Sequence, residues 1–218
     1  MLLVAALLAY FPAVKGEPLW DDISLVVNHA FIKSPWFALE LFRQWTYPEA
    51  LSIYYRPVQM LSYMGDYLFW RGNPVGYHLT NIFIHAVAGM LLFFLLERLL
   101  PRLASLPQRT VRLLAFALAL LWVVHPIHNA AVAYISGRAD PLAMVFALAA
   151  WLLYLRSRES DRPGLRRSGW IGAFLLALLA LCAKEIAFTW VLLFWLLEGW
   201  MFSGRPRDRW KLLAVLVV

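Results

Sequence analysis

The chain reads as solid apolar runs separated by short polar connections. The first run, LLVAALLAYFPAV, begins at Leu2 with no charged stretch before it, which predicts a shortened membrane helix rather than a secretory leader. Further runs near the roughly 20 residues that span a bilayer follow at Gly76 to Leu96, Val111 to Ile127, Ala130 to Leu155, Trp170 to Ala183 and Ile186 to Phe202. The closing KLLAVLVV reads as the opening of another helix, so the chain is expected to be the amino-terminal part of a longer module. Between Lys15 and Val75 the sequence is too polar for lipid and is punctuated by Pro18, Pro35, Pro48, Pro57 and Pro74. That stretch predicts an extramembrane segment of short helices. Three parts result: a first helix over 1–14, an outer loop over 15–75 and a helical bundle over 76–218.

One division rests on length. Trp170 to Phe202 is 33 residues interrupted only by Lys184, Glu185 and Glu198. At a rise of about 1.5 Å per residue one helix would far exceed the hydrocarbon core, so a hairpin turning near Lys184 and Glu185 is expected.

Composition fixes the solvent. With 62% hydrophobic and only 15% charged residues, the chain lies outside the soluble range of roughly 45–50% apolar and 25% charged. The fold class is an all-α integral membrane bundle of about six spans plus the start of a seventh. The single Cys182 excludes a disulfide framework. A net charge of +7 does not imply nucleic acid as a partner, because the basic residues fall in clusters between apolar runs. Clusters at Arg98 to Arg112, Arg156 to Arg167 and Arg205 to Lys211 place three loops on the cytoplasmic side. The long segment and the turns at HPIHN and CAKEIA then face outward.

This topology gathers Asp21 and Asp22, His125 and His128, Arg138 and Asp140, and Lys184 and Glu185 in the outer third of the membrane. Charged side chains there pair, line a cavity, or act. Gly137 and Pro141 predict an interrupted helix around Arg138 and Asp140, where a structural ion pair competes with a functional site. His125 and His128 suit a capped turn or a metal ligand, but no HExxH is present, which disfavours a zinc protease. His78, Asn81 and His85 share one helix face and mark a polar stripe toward the bundle interior. Ser136 lacks a glycine two residues before it, where Tyr134 stands, and this weakens an intramembrane serine protease reading. In WDDISLVVNHAF two adjacent carboxylates make either a solvated acidic turn or a general base that removes a proton from an acceptor hydroxyl. Arg56, Arg138 and Lys184 are cations suited to phosphate. A base beside a phosphate clamp at a lipid surface points to a lipid-phosphate donor.

The succession WDDISLVVN, YYRPVQMLSYMGDYLFWRGNPVGYHLTNIFIHA, HPIHNAAVAYISGRADPLA and LCAKEIAFTW resembles the amino-terminal membrane half of the transmembrane, tetratricopeptide-repeat O-mannosyltransferases and their bacterial relatives, within the GT-C glycosyltransferases. The resemblance implies an active site on the lumenal or periplasmic face and transfer of a hexose, mannose above all, from a polyprenyl- or dolichyl-phosphate sugar to a protein hydroxyl. By the same resemblance one of Asp21 and Asp22 is the base, while Arg56, His125, His128, Arg138, Asp140, Lys184 and Glu185 shape the donor-phosphate and sugar pocket. No repeats are present, and a divalent metal is left open. The implied setting is a bacterial inner membrane with the site facing the periplasm. A transporter or a non-catalytic scaffold are the competing readings. The first would call for an inverted repeat, which the two halves do not show, and the second for loss of the acidic pair.

Overall fold

Proline and the residues around it decide where most of the helices begin. The computed structural model describes residues 1–43 and 54–202, and over these the secondary structure is helical, without strands. Pro48, the Arg205 to Lys211 loop and the terminal KLLAVLVV lie outside the described residues. The first helix, α1 (Leu2–Tyr10), tightens into a 3-10 turn at Phe11–Lys15 that carries Pro12. The segment after it contains a π-turn at Ile23–Val27 and three short 3-10 turns ending at Phe42. Helices α2 (Pro57–Trp70) and α3 (Pro74–Leu103) each open on proline, whose fixed φ and missing N–H suit the first helical position. α4 (Gln108–Val124) stops before Pro126, as a residue preceding proline is driven out of the helical region. α5 (Asn129–Ala133), α6 (Ala139–Arg158), α7 (Pro163–Ala183) and α8 (Ala187–Phe202) complete the order.

The long apolar run after Trp170 divides at Lys184–Ile186, so α7 and α8 form a hairpin. The expected interruption near Arg138 is also present, but it falls at Tyr134–Arg138. Pro141 sits inside the first turn of α6, where no intrahelical partner awaits an N–H.

Among the described residues three helices are long and apolar enough to cross a membrane: Pro74–Leu103, Ser136–Arg158 and Pro163–Ala183. The pair Gln108–Val124 and Pro126–Ala133, bent by 45°, makes a fourth if it counts as one broken span. Leu2–Lys15 and Ala187–Leu196 are apolar but shorter than this test requires. By length and composition the described residues thus hold three or four spans, whereas the apolar runs predict about six and the start of a seventh, which lies outside the described residues.

α3 is central, packed against α1, α4 and α6, and α6 lies between α3 and α7. Small side chains make this approach close: Ala86 and Ala88 of α3, Ala115 and Ala119 of α4, Ala143 and Ala147 of α6, and Ala180 and Ala183 of α7 are buried. A Cβ on Gly89 would run into Val123, and one on Gly169 into Ser157. Outward-facing Leu113, Leu121 and Phe174 are exposed, as lipid-facing positions are. At one end of the bundle Arg98 and Arg102 hold Glu159, Arg112 holds Glu97, and Arg158 pairs with Glu198. The other end carries the acidic turn, the helix break and every site discussed below.

Candidate active site

Interrupting a helix at Tyr134–Arg138 releases backbone groups that must find new partners inside the protein, since an unpaired buried group costs roughly 1–3 kcal/mol. Each partner comes from another element. Asn81 Nδ2 of α3 donates to the Tyr134 carbonyl at 2.7 Å. From α2, the Tyr63 hydroxyl donates to the Ile135 carbonyl at 3.0 Å, and Gln59 Nε2 donates to the Ser136 carbonyl at 3.0 Å and to the Tyr63 hydroxyl at 2.8 Å. The Ser136 N–H donates to Asp22 Oδ1 at 2.7 Å. Gly137 is required by space, because a Cβ there would run into the Ala130 carbonyl and the Ala131 backbone.

Arg138 leaves this turn pointing inward and is 0% exposed. Its guanidinium pairs with Asp66 at 2.5 Å, donates to Asn81 Oδ1 at 2.6 Å and to the Tyr77 carbonyl at 3.0 Å, and lies 4.7 Å from the centre of the Tyr63 ring. Asp66 also accepts from the Thr80 hydroxyl at 2.8 Å. Burial pushes the Asp66 carboxyl above its usual range, against the pull of Arg138 and Thr80. A charge this enclosed costs several kcal/mol unless fully paired. Arg138 therefore joins α2, α3 and α6, and no ligand reaches it without rearrangement.

The acidic pair occupies one turn that opens after Trp20, whose φ of 46° is unusual for a bulky residue. Its two members have different surroundings. Asp22 is 2% exposed and accepts from the backbone through both oxygens, from Ser136 and from the Leu19 N–H at 3.1 Å. Asp21 is exposed. Trp20 packs on Tyr134, ring centres 5.8 Å apart. The Tyr134 hydroxyl is enclosed without a hydrogen-bond partner among the described residues. Burial first, then the charges of Asp22 and Asp21, push that hydroxyl above its ordinary value.

A cavity of about 550 Å³ opens between the α5–α6 break and α8, lined by His128, Trp122, Asp140, Thr189 and Trp190 among others. At this level the Lys184 ammonium lies 2.7 Å from Asp140, and Arg56 grips Glu185 through Nε and Nη2 at 2.7–3.1 Å. For Glu185, burial would raise the carboxyl, but the hydrogen bonds and charge of Arg56 and the charge of Lys184 outweigh it and hold the group below its usual range. The histidines are placed by main-chain bonds and stacking. His78 Nε2 is 3.2 Å from the Gly16 carbonyl, and His85 Nε2 is 2.9 Å from the Val123 carbonyl. His85 stacks on Trp122 at 4.7 Å and His128 lies 4.4 Å from the same indole. His125 caps the turn through Nδ1, accepting from Ile127 N–H at 3.2 Å. Among the described residues no three His, Cys, Asp or Glu side chains are placed to hold a metal.

Gln59, Tyr63 and Asp66 were not singled out in the sequence, although their spacing of four and three is a polar stripe on one helix face. Tyr134 carried no such signal, because its place depends on the break.

No family model and no solved structure matches the chain. Among characterised proteins it is similar to the protein O-mannosyl-transferase F38B6.6 of Caenorhabditis elegans, 30% identical over 73% of this chain and 23% of the relative. It is also similar to the protein O-mannosyl-transferase Tmtc1 of Drosophila melanogaster, 38% identical over 64% of this chain and 15% of the relative. The protein O-mannosyl-transferase TMTC3 of Homo sapiens is 30% identical over 76% of this chain and 18% of its own length. The chain thus spans between 15% and 23% of the length of these relatives.

Proposed function

We propose, on the premise that this chain resembles the TMTC-type protein O-mannosyl-transferases, that it is the amino-terminal part of a membrane glycosyltransferase of the GT-C class. The reaction is transfer of a hexose, mannose in the first instance, from a polyprenyl- or dolichyl-phosphate sugar to a hydroxyl of a protein acceptor. Residues 1–14 are its first helix, 15–75 its outer loop and 76–218 its bundle. About six spans result when α1 and α8 also enter the bilayer, with the site on the lumenal or periplasmic face. In a bacterium that face is the outside of the inner membrane.

One observation carries this reading. The acidic turn is tied by the Asp22 to Ser136 bond to a helix break, and that break borders a cavity whose largely apolar lining includes His128, Asp140 and Thr189. Asp22 has both oxygens committed to backbone donors and serves as the anchor. Asp21, exposed in the same turn, is the base. The acceptor hydroxyl attacks the anomeric carbon, its proton passes to Asp21, and the bond from that carbon to the phosphate oxygen breaks with inversion. The leaving phosphate needs cations at the cavity mouth. Lys184, bound to the cavity residue Asp140, fills that role, with His128 in the cavity lining and Arg56 held by Glu185. Arg138 holds the frame and His125 the turn, while His78, Asn81 and His85 fix α3 against the break.

The test is transfer from a radiolabelled polyprenyl-phosphate hexose to protein, in membranes carrying the full-length protein. Loss of a general base costs roughly 10²–10⁴-fold, so Asp21→Asn is expected at background while still inserting. Full activity in that variant would exclude Asp21 as the base. No transfer by the unaltered protein with any donor would exclude the enzyme reading.

A further inference from the structure

A second cavity, of about 230 Å³, lies on the other side of the break. Val26, Tyr67, Pro74 and Ile135 form its walls, and Lys33 and Arg71 are the charged residues among its lining, which contains no carboxylate. Neither cation makes an ion pair within hydrogen-bonding reach among the described residues; the Arg71 guanidinium leans over the Tyr67 ring at 5.7 Å. Arg71 also ends α2 with φ 54° and ψ −121°, a conformation that favours glycine, although Gly72 follows immediately. Its N–H donates to the Tyr67 carbonyl at 3.0 Å, and its own carbonyl accepts from the Tyr77 hydroxyl at 2.8 Å. A strained cationic residue is thus fixed at the cavity edge, as strained residues often are at ligand clamps.

The cavity is connected to the acidic turn through shared elements. Pro18, in its wall, precedes Asp21 by three positions, and Val26 belongs to the π-turn that continues directly from Asp22. Ile135 precedes the Ser136 N–H that Asp22 holds. Two cavities are therefore lined by residues around the one break to which Asp22 is tied, Ala131 and Asp140 in the larger and Ile135 in the smaller, and a transferase with two substrates needs two. The larger, lined by His128 and by Asp140, the partner of Lys184, suits the lipid-linked donor. The smaller is too small for a lipid tail, holds about one or two side chains, and offers proline and tyrosine surfaces with Lys33 and Arg71 as its two cations.

We propose that this smaller cavity holds an acidic side chain of the acceptor polypeptide, close to the hydroxyl that receives the sugar. The inference rests on the transferase reading above and gives it a substrate preference: acceptors with Asp or Glu near the target Ser or Thr.

The experiment uses the full-length protein in membranes and pairs of Ser/Thr peptides differing only in one Glu or Lys near the hydroxyl. The Glu peptide is expected to have a KM lower by roughly five- to tenfold, the size of one or two charge-assisted contacts, with kcat unchanged. The preference should fade at high salt. Arg71→Gly, which keeps the backbone conformation and removes the cation, and Lys33→Gln should each weaken it, and the double Lys33→Glu/Arg71→Glu variant should favour the Lys peptide. Binding of a fluorescent Glu peptide to the purified protein, measured without donor, separates the two readings. Peptide binding that depends on Lys33 and Arg71 without any transfer upholds the cavity assignment and fails the enzyme reading. Transfer with no charge preference, or with a preference these variants leave unchanged, overturns the cavity assignment alone. Loss in the variants of binding to anionic phospholipid vesicles, with peptide binding intact, would make the cavity a lipid headgroup site and overturn it equally.

Discussion

Replacing Arg138 by methionine tests whether the helix break is held by buried electrostatics. The methionine fills much of the same volume but leaves Asp66, Asn81 Oδ1 and the Tyr77 carbonyl without the donor that now reaches them at 2.5, 2.6 and 3.0 Å. Asp66 keeps only Thr80. Removing one partner of a buried ion pair costs about 3–5 kcal/mol, the expected loss for Arg138→Met. Asp66→Asn strands the guanidinium and should cost a similar amount. The double variant removes both charges, so its loss should fall short of the sum by at least about 1 kcal/mol, the coupling expected of residues in contact. The assay is reversible unfolding of the purified protein by SDS added to lipid micelles, followed by the fluorescence of its 11 tryptophans. The pH dependence adds a sign. Burial raises the Asp66 carboxyl in the folded state, so its contribution is fully present below the unfolded value and is lost as pH rises through the folded one. Without Arg138 that shift grows, and Arg138→Met should recover stability relative to the unaltered protein as pH falls from neutral. A loss under about 0.5 kcal/mol for Arg138→Met, within the range of an ordinary surface change, would refute the reasoning. Strict additivity in the double variant would refute it equally.

Asp22→Ala removes the acceptor of the Ser136 and Leu19 N–H groups and should destabilise the protein by roughly 1–3 kcal/mol in the same assay, whereas Asp21→Ala, at an exposed position, should be neutral in stability. Gly137→Ala should cost roughly 1–3 kcal/mol, because its Cβ meets rigid backbone at Ala130 and Ala131; Gly65→Ala, with nothing within 4 Å, should be silent or mildly stabilising. Glu185 is held below its usual carboxyl range, so the stability it adds is present above the unfolded value and is lost as pH falls through the folded one. Glu185→Gln should therefore be weaker than the unaltered protein near neutral pH by less than about 1 kcal/mol, since the pair is half-exposed, and indistinguishable from it once the carboxyl is protonated; a difference that persists in acid would show a role other than charge.

The class of the molecule was legible in the sequence because lipid makes it a local property. Each spanning segment must satisfy its own backbone, so an apolar run of the right length already implies a helix. Length alone divided the run after Trp170, and Gly137 and Pro141 announced an interruption near Arg138. Its position was not legible: Pro141 proved compatible with the first turn of α6, and the chain breaks at Tyr134–Arg138 because side chains from distant elements take up the freed groups there. Those bonds join residues 53 and 77 positions apart, as Asn81 to Tyr134 and Gln59 to Ser136, and no local pattern records them. The same holds for the charged residues. The sequence marks Asp21 and Asp22 as equals and treats Arg138 like Arg56 and Lys184, since residue type and spacing do not report burial. Packing of α2 and α3 against the break encloses Arg138 and Asp22 and leaves Asp21 at the surface. Which charges hold the frame and which stay at the surface is decided by desolvation, a property of the assembled bundle.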